Sequence, residues 1–113
     1  MKKFPFLMLL AALLAMPAMA LAATYKDVPV VDVSCSKKVA ANPDVHTRDC
    51  ALQCASSGFG IVTQDQKFPK FDDAGNQKVL SELKASNKKD HLRVNVTGEV
   101  QGDTLKVSSV TLM

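Results

Sequence analysis

One histidine and three cysteines are the residues of this chain whose types and spacing can do chemistry. His46, Cys50 and Cys54 follow one another at intervals of four residues, and Cys35 lies upstream of them. On an α-helix, residues four apart lie one turn above another on the same face. Three thiols and one imidazole match the ligand number and ligand types of a closed tetrahedral zinc site, and they suit Cu(I) equally well.

These four residues allow three interpretations. We favour a structural disulfide, because cysteines in a small exported domain usually pair. Two cysteines four residues apart on one helix close badly, so Cys35 is expected to pair with Cys50 or Cys54. The second interpretation is a zinc or copper site, although the spacing lacks the C-x2-C pair typical of zinc sites. Its ligands would be Cys35, His46, Cys50 and Cys54. The third is a thiol-redox role for the cysteine left unpaired near His46.

The first residues of the chain predict export. A dibasic start precedes about a dozen apolar residues, a length typical of a signal peptide and too short to span a bilayer. Small residues then occupy the −3 and −1 positions that a signal peptidase requires. They predict cleavage after Ala22, with Ala20 as the alternative site. We therefore expect residues 1–22 to be removed and residues 23–113 to form one domain, with no membrane insertion after cleavage.

Removing this leader changes the charge of the chain. The full sequence has a formal net charge of +3, and the loss of Lys2 and Lys3 leaves about +1. A near-neutral domain offers no electrostatic case for binding nucleic acid. A domain of about 90 residues buries only just enough surface to offset its chain entropy. A disulfide or a metal would therefore add disproportionately to its stability.

The pattern of apolar residues predicts five short strands and two helices. The strands are expected at 25–35, 61–63, 67–71, 91–100 and 104–112, and the helices at 45–57 and 77–85. The last two strands alternate with period two, and Gly98 inside one of them indicates a bulge. Five strands with a helix before the last hairpin predict a mainly β (α+β) fold, a small barrel of the oligonucleotide/oligosaccharide-binding (OB) type. The cysteine-bearing helix would be an insertion after the first strand, and an α+β sandwich is the alternative fold.

The motifs together resemble those of a group of small exported bacterial proteins without an assigned function. The residues that carry the resemblance are Cys35, His46, the Cys50–Cys54 segment, Gly58, and 96–109. The resemblance covers nearly all of the chain after the leader. It implies a bacterial origin and an OB-like barrel, and with the leader it places the protein in the periplasm or outside the cell. It implies no activity.

No catalytic constellation stands out among the other polar residues. The sequence contains no recognisable Ser-His-Asp arrangement or phosphate-binding loop. His91 is expected at the surface, and Asp72 and Asp73 are expected to cap a helix or face water. We therefore expect a non-catalytic binding module whose partner is an unidentified small ligand or envelope protein. It would need no cofactor under the disulfide interpretation, and zinc or copper under the metal interpretation.

Overall fold

Five strands close into a barrel in the computed structural model, which describes residues 21–113. In chain order they are β1 (Leu21–Asp32), β2 (Phe59–Ile61), β3 (Lys70–Phe71), β4 (Arg93–Gln101) and β5 (Thr104–Leu112). Around the barrel they follow the order β1-β2-β3-β5-β4, and β4 pairs again with β1. Every neighbouring pair is antiparallel except β3 with β5, which is parallel. This arrangement confirms the predicted mainly β, OB-like barrel.

The predicted signal peptide lies mostly outside the described residues, because the description begins at Leu21. The predicted cleavage point after Ala22 falls two residues inside β1. Both residues before that point are exposed and pair only with the end of β4. Cleavage there would therefore leave the barrel core untouched.

Within residues 21–113, three α-helices accompany the barrel: α1 (Ser36–Val39), α2 (Arg48–Gln53) and α3 (Asp73–Ala85). The helix predicted at 77–85 is α3, and it begins four residues earlier than expected. Its first turn is fixed by Asp72, whose carboxylate accepts a hydrogen bond from the Gly75 amide at 3.0 Å. Val79 and Leu83 lie on the face that α3 buries, and both are fully inaccessible to solvent. Among the helices in the described part of the chain, none has the length and hydropathy needed to cross a bilayer.

The segment between β1 and β2, residues 33–58, is called the β1–β2 insertion, and it differs from the prediction of a single helix at 45–57. In place of that helix the structure has three short elements, which are a 3-10 turn (Pro43–Val45), α2, and a second 3-10 turn (Ala55–Ser57). His46 has an extended backbone, and the Thr47 hydroxyl caps α2 by accepting from the Cys50 amide at 3.2 Å. A threonine side chain that competes for a backbone N–H in this way starts a new helix. His46 therefore does not share a helix face with the cysteines.

The predicted bulge in the last hairpin is confirmed. The register between β4 and β5 shifts between Thr97 and Gly98. A Cβ atom at position 98 would collide with the carbonyl oxygen of Lys106, so only glycine lets the two strands approach this closely. Pro29 lies within β1, opposite Arg93 of β4 and just after an irregularity in the pairing.

A bidentate ion pair holds the β1–β2 insertion against the barrel. Arg93, on β4, donates from Nε to Asp44 Oδ1 at 3.0 Å and from Nη2 to Asp44 Oδ2 at 2.9 Å. A backbone hydrogen bond from the His91 amide to the Asp44 carbonyl, at 2.9 Å, lies beside it. Arg48 of α2 adds a bond from its Nε to the Leu83 carbonyl of α3, at 2.7 Å. The insertion is thereby fixed to both the sheet and α3.

Replacing Asp44 with asparagine is expected to make the unfolding free energy fall less steeply as the pH is lowered into the acid range. Hydrogen bonding to Arg93 lowers the pKa of Asp44 below its usual value of 3.8, and this outweighs the opposite effect of burial. Because the pKa is lower in the folded state, the stabilisation is complete above the unfolded pKa and is lost as the pH falls through the folded pKa. Urea unfolding between about pH 4 and pH 2 should show a steeper decline in the unfolding free energy for the wild type than for Asp44→Asn.

The matched control is Asp49→Asn. The Asp49 side chain is 87% exposed, and its carboxylate lies 3.9 Å from Arg48, which is a long distance for an ion pair. Its acid profile should follow that of the wild type. If Asp44→Asn also follows it, the pair with Arg93 does not stabilise the folded chain.

Candidate functional site

Asp32 and His46 are the two buried polar residues of the described chain, with 0% and 6% of their surface exposed. Asp32 ends β1, where it pairs with Phe59 of β2. His46 reaches it from the β1–β2 insertion, and its Nε2 lies 2.5 Å from Asp32 Oδ1. A buried carboxylate in contact with a buried imidazole is costly to desolvate, so this pair is a candidate functional group as well as a structural one.

The second oxygen of Asp32 organises the turn that follows β1. Asp32 Oδ2 accepts hydrogen bonds from the Ser34 hydroxyl at 2.7 Å and from the Cys35 amide at 3.0 Å. Asp32 thereby caps the 3-10 turn Val33–Cys35. This explains why β1 ends at Asp32, three residues before the end predicted from the sequence.

These contacts keep Asp32 ionised. Burial alone would raise the pKa of Asp32, but hydrogen bonds to Ser34, His46 and Cys35 outweigh it, and the pKa lies below its usual value of 3.8. The site therefore contains a buried negative charge at neutral pH, an environment that attracts a cation.

Cys35 has the opposite electrostatic environment for its thiol. Burial and the hydrogen bond to Asp32 raise the pKa of Cys35 above its usual value of 9.0, and the negative charge of Asp32 raises it further. A thiol with a raised pKa stays protonated at neutral pH, whereas a catalytic or redox-active cysteine needs a lowered pKa. In the metal-free chain Cys35 is therefore a poor nucleophile.

One carboxylate oxygen, one thiol sulfur and one imidazole nitrogen come together at this point. The donor atoms of Asp32, Cys35 and His46 all lie within 4.8 Å of one another. The grouping is called the Asp–Cys–His site. It contains two of the four metal ligands proposed from the sequence, Cys35 and His46, and one residue that sequence reasoning missed, Asp32.

The other two cysteines lie outside the Asp–Cys–His site. Cys50 is exposed on α2, and Cys54 is half-buried at the end of that helix. All three cysteines are free thiols in this structure. The pairing of Cys35 with Cys50 or Cys54, favoured from the sequence, therefore stays a prediction.

The remaining residues considered in the sequence do not belong to the Asp–Cys–His site. His91 is exposed, and its Nδ1 is 2.8 Å from Asp90 Oδ1. Asp72 caps α3 as expected, and Asp73 lies in the first turn of that helix. The exposed pair of His91 with Asp90 provides a natural control for the buried pair of His46 with Asp32.

A sequence signal for Asp32 does exist. The segment Val30-Val31-Asp32-Val33-Ser34 places one acidic residue at the end of an apolar run, followed two positions later by a serine. Aspartate with a serine nearby is typical of a turn in which the carboxylate binds the local backbone. The signal locates a cap, but nothing in the sequence indicates that His46 packs against it.

No protein-family model, no curated protein and no solved structure matches this chain. What the chain does is therefore inferred from its own residues.

Proposed function

We propose that this chain is an exported, non-catalytic binding module whose ligand is one zinc ion, held by Asp32, Cys35 and His46. The observation that carries the proposal is the convergence of three different ligating atoms within 4.8 Å, two of them on buried side chains. Buried polar groups are costly, and a grouping of carboxylate, thiol and imidazole is a common way to bind a transition metal.

The spacing of the three donors fits zinc. Bond lengths of about 2.0–2.3 Å at tetrahedral angles put neighbouring ligand atoms about 3.4–3.6 Å apart. Nε2 of His46 and Oδ1 of Asp32, now 2.5 Å apart, would separate by about 1 Å to admit the ion. Cys35 would approach by a similar amount or less, a movement within the reach of a side chain on a short turn.

The donor types favour zinc over copper. Cu(I) prefers soft thiolate and thioether ligands, whereas Zn²⁺ accepts nitrogen, sulfur and carboxylate oxygen. The set expected from the sequence, three thiols and an imidazole, suited both metals. The Asp–Cys–His site exchanges two of those thiols for one carboxylate, and that exchange disfavours Cu(I). Three protein ligands also leave a fourth position for water or for a group on a partner.

The protonation states support binding of a metal, not thiol catalysis. Asp32 is already ionised, and burial, the hydrogen bond to Asp32 and the charge of Asp32 together keep Cys35 protonated. An incoming Zn²⁺ would neutralise that charge and displace the thiol proton, because only the thiolate is a metal ligand. Zinc binding is therefore expected to release a proton from Cys35.

Location and partners follow from the sequence. The leader and the resemblance to exported bacterial proteins support a periplasmic or secreted location. The near-neutral charge gives no support to a nucleic-acid partner. We infer that the module delivers, stores or senses zinc together with an envelope protein, or uses the ion to bind a small ligand at the fourth position.

Calorimetric titration of the reduced mature chain with Zn²⁺ tests the proposal. We expect saturable binding of one zinc ion per chain, with a binding enthalpy that depends on the buffer because a proton is released. Zinc at about 100 times its dissociation constant should also raise the melting temperature by on the order of 10 °C. Absence of saturable binding in the reduced chain would rule out the proposed function.

A further inference from the structure

Two hydrogen bonds link the turn that follows β1 with the residues that precede β2. The Val33 amide donates to the Gly58 carbonyl at 2.9 Å, and the Ser34 amide donates to the Ser57 hydroxyl at 3.2 Å. Cys35 directly follows Ser34, so its backbone is adjacent to the residue that bonds to the 3-10 turn Ala55–Ser57.

Cys54 directly precedes that turn and is its N-cap residue. Its carbonyl oxygen accepts hydrogen bonds from the Ser57 amide at 3.0 Å and from the Ser57 hydroxyl at 2.8 Å. The same Ser57 hydroxyl accepts a hydrogen bond from the Ser34 amide. One serine side chain thus links the backbone next to Cys35 with the backbone of Cys54.

Cys50 has a different position. It lies in the first turn of α2, its amide bonds to the Thr47 hydroxyl, and its side chain is exposed. No described hydrogen bond links its turn to the segment that contains Cys35. The hydrogen bonds of Ser57 therefore favour Cys54 as the partner of Cys35, with Cys50 as the unpaired cysteine.

We propose that a disulfide between Cys35 and Cys54 switches the Asp–Cys–His site off, so that the chain binds zinc only when these two thiols are reduced. The proposal rests on the proposed zinc function. Cys35 is the one sulfur ligand of the site, and a disulfide sulfur cannot act as a thiolate ligand. The two states are mutually exclusive, because the same sulfur atom either bonds to Cys54 or coordinates the ion.

The Cys35–Cys54 disulfide can form by thiol–disulfide exchange, with a small disulfide as the oxidant. A thiolate of one cysteine attacks the disulfide of oxidised glutathione, whose S–S bond breaks and releases one molecule of glutathione. The second cysteine then attacks this mixed disulfide, forms the Cys35–Cys54 bond and releases the second molecule of glutathione. Two electrons pass from the protein thiols to the glutathione sulfurs, and the two thiol protons leave with the products.

The test measures zinc affinity in two redox states. The wild type, Cys50→Ser and Cys54→Ser are each prepared reduced, or oxidised with glutathione disulfide that is then removed. Intact mass, a free-thiol count and peptide mapping establish the pairing, and species carrying a bound glutathione are separated before the titration with Zn²⁺. The Cys50→Ser variant is the matched control, because it removes the cysteine that the proposal leaves unpaired.

We expect oxidation to lower the zinc affinity of the wild type and of Cys50→Ser by more than about 100-fold, since a ligand is lost. The mapped bond should be Cys35–Cys54, leaving one free thiol in the wild type and none in Cys50→Ser. Unmodified Cys54→Ser should bind zinc equally well after either treatment.

Three results would overturn the switch while leaving the zinc function intact. They are the failure of any disulfide to form, a bond that joins Cys50 instead of Cys35 to Cys54, and undiminished zinc binding by the chain with the Cys35–Cys54 bond. Failure of the proposed function itself gives a different result, namely no zinc binding by the reduced wild type.

Discussion

Replacing Asp32 with asparagine is expected to lower the zinc affinity of the reduced chain by more than about 100-fold. Asparagine keeps the shape of the side chain and an oxygen atom, but it removes the buried negative charge that faces His46 and Cys35. Changes to residues that only support metal ligands typically cost 10–100-fold in affinity, so the loss of a charged ligand should exceed that range. Calorimetry or competition with a zinc indicator measures the change.

The same experiment on four further variants makes the prediction specific. Cys35→Ser and His46→Gln should lose affinity to a similar extent, because each removes one ligand. Cys50→Ser and His91→Gln should bind as the wild type does, since Cys50 is exposed and outside the site and His91 forms an exposed pair with Asp90. Retention of wild-type affinity by Asp32→Asn would show that the ion binds elsewhere.

Replacing His46 with alanine is expected to destabilise the metal-free chain by about 3 kcal/mol. Removing one partner of a buried pair leaves an uncompensated charge, and Asp32 has none of its surface exposed. The hydrogen bonds from Ser34 and Cys35 remain, which keeps the expected loss at the lower end for such changes. Small domains have a total stability of about 5–15 kcal/mol, so the variant should unfold at a much lower urea concentration.

Urea unfolding with a chelator present separates this effect from metal binding. His91→Ala is the matched control, and its unfolding midpoint should change little because exposed ion pairs contribute little. Adding Asp32→Asn to His46→Ala should recover part of the loss, since the unpaired charge is then removed. A loss of less than about 1 kcal/mol in His46→Ala would mean that the buried charge is not held by His46.

The parts of the fold that could be predicted are those set by local patterns. Alternation with period two predicted the strands at 91–100 and 104–112 because one face of each strand is buried, as Leu92, Val94 and Val96 are. Gly98 indicated a bulge because no residue with a Cβ atom tolerates such a close approach of the opposite strand. The order of the elements then favoured the barrel over the α+β sandwich.

The β1–β2 insertion could not be predicted in the same way. A helix over 45–57 fits the residue pattern, yet Thr47 caps a shorter helix and leaves His46 in extended backbone. This conformation of the insertion is stabilised by tertiary contacts. One of them is the ion pair of Asp44 with Arg93, two residues that lie 49 positions apart in the sequence. A local pattern contains no information about such a contact.

The site shows the same division. Cys35 and His46 could be predicted as candidate ligands from residue type alone. Asp32 could not, because its role depends on a contact with a histidine 14 residues away, which exists only once the insertion has folded onto the end of β1. The regular four-residue spacing made Cys50 and Cys54 candidate ligands in the metal interpretation, but such spacing places residues on one face only when the helix is continuous.

X-ray absorption at the zinc edge of the reduced, zinc-loaded wild type tests the central claim most directly. The Asp–Cys–His site predicts one sulfur ligand at about 2.3 Å, with the other ligands being nitrogen or oxygen at about 2.0–2.2 Å. Three sulfur ligands and one nitrogen would instead indicate the site of three cysteines and one histidine. A shell with no sulfur would mean that the ion is not bound by Cys35, and either result would contradict the assignment of the ion to Asp32, Cys35 and His46.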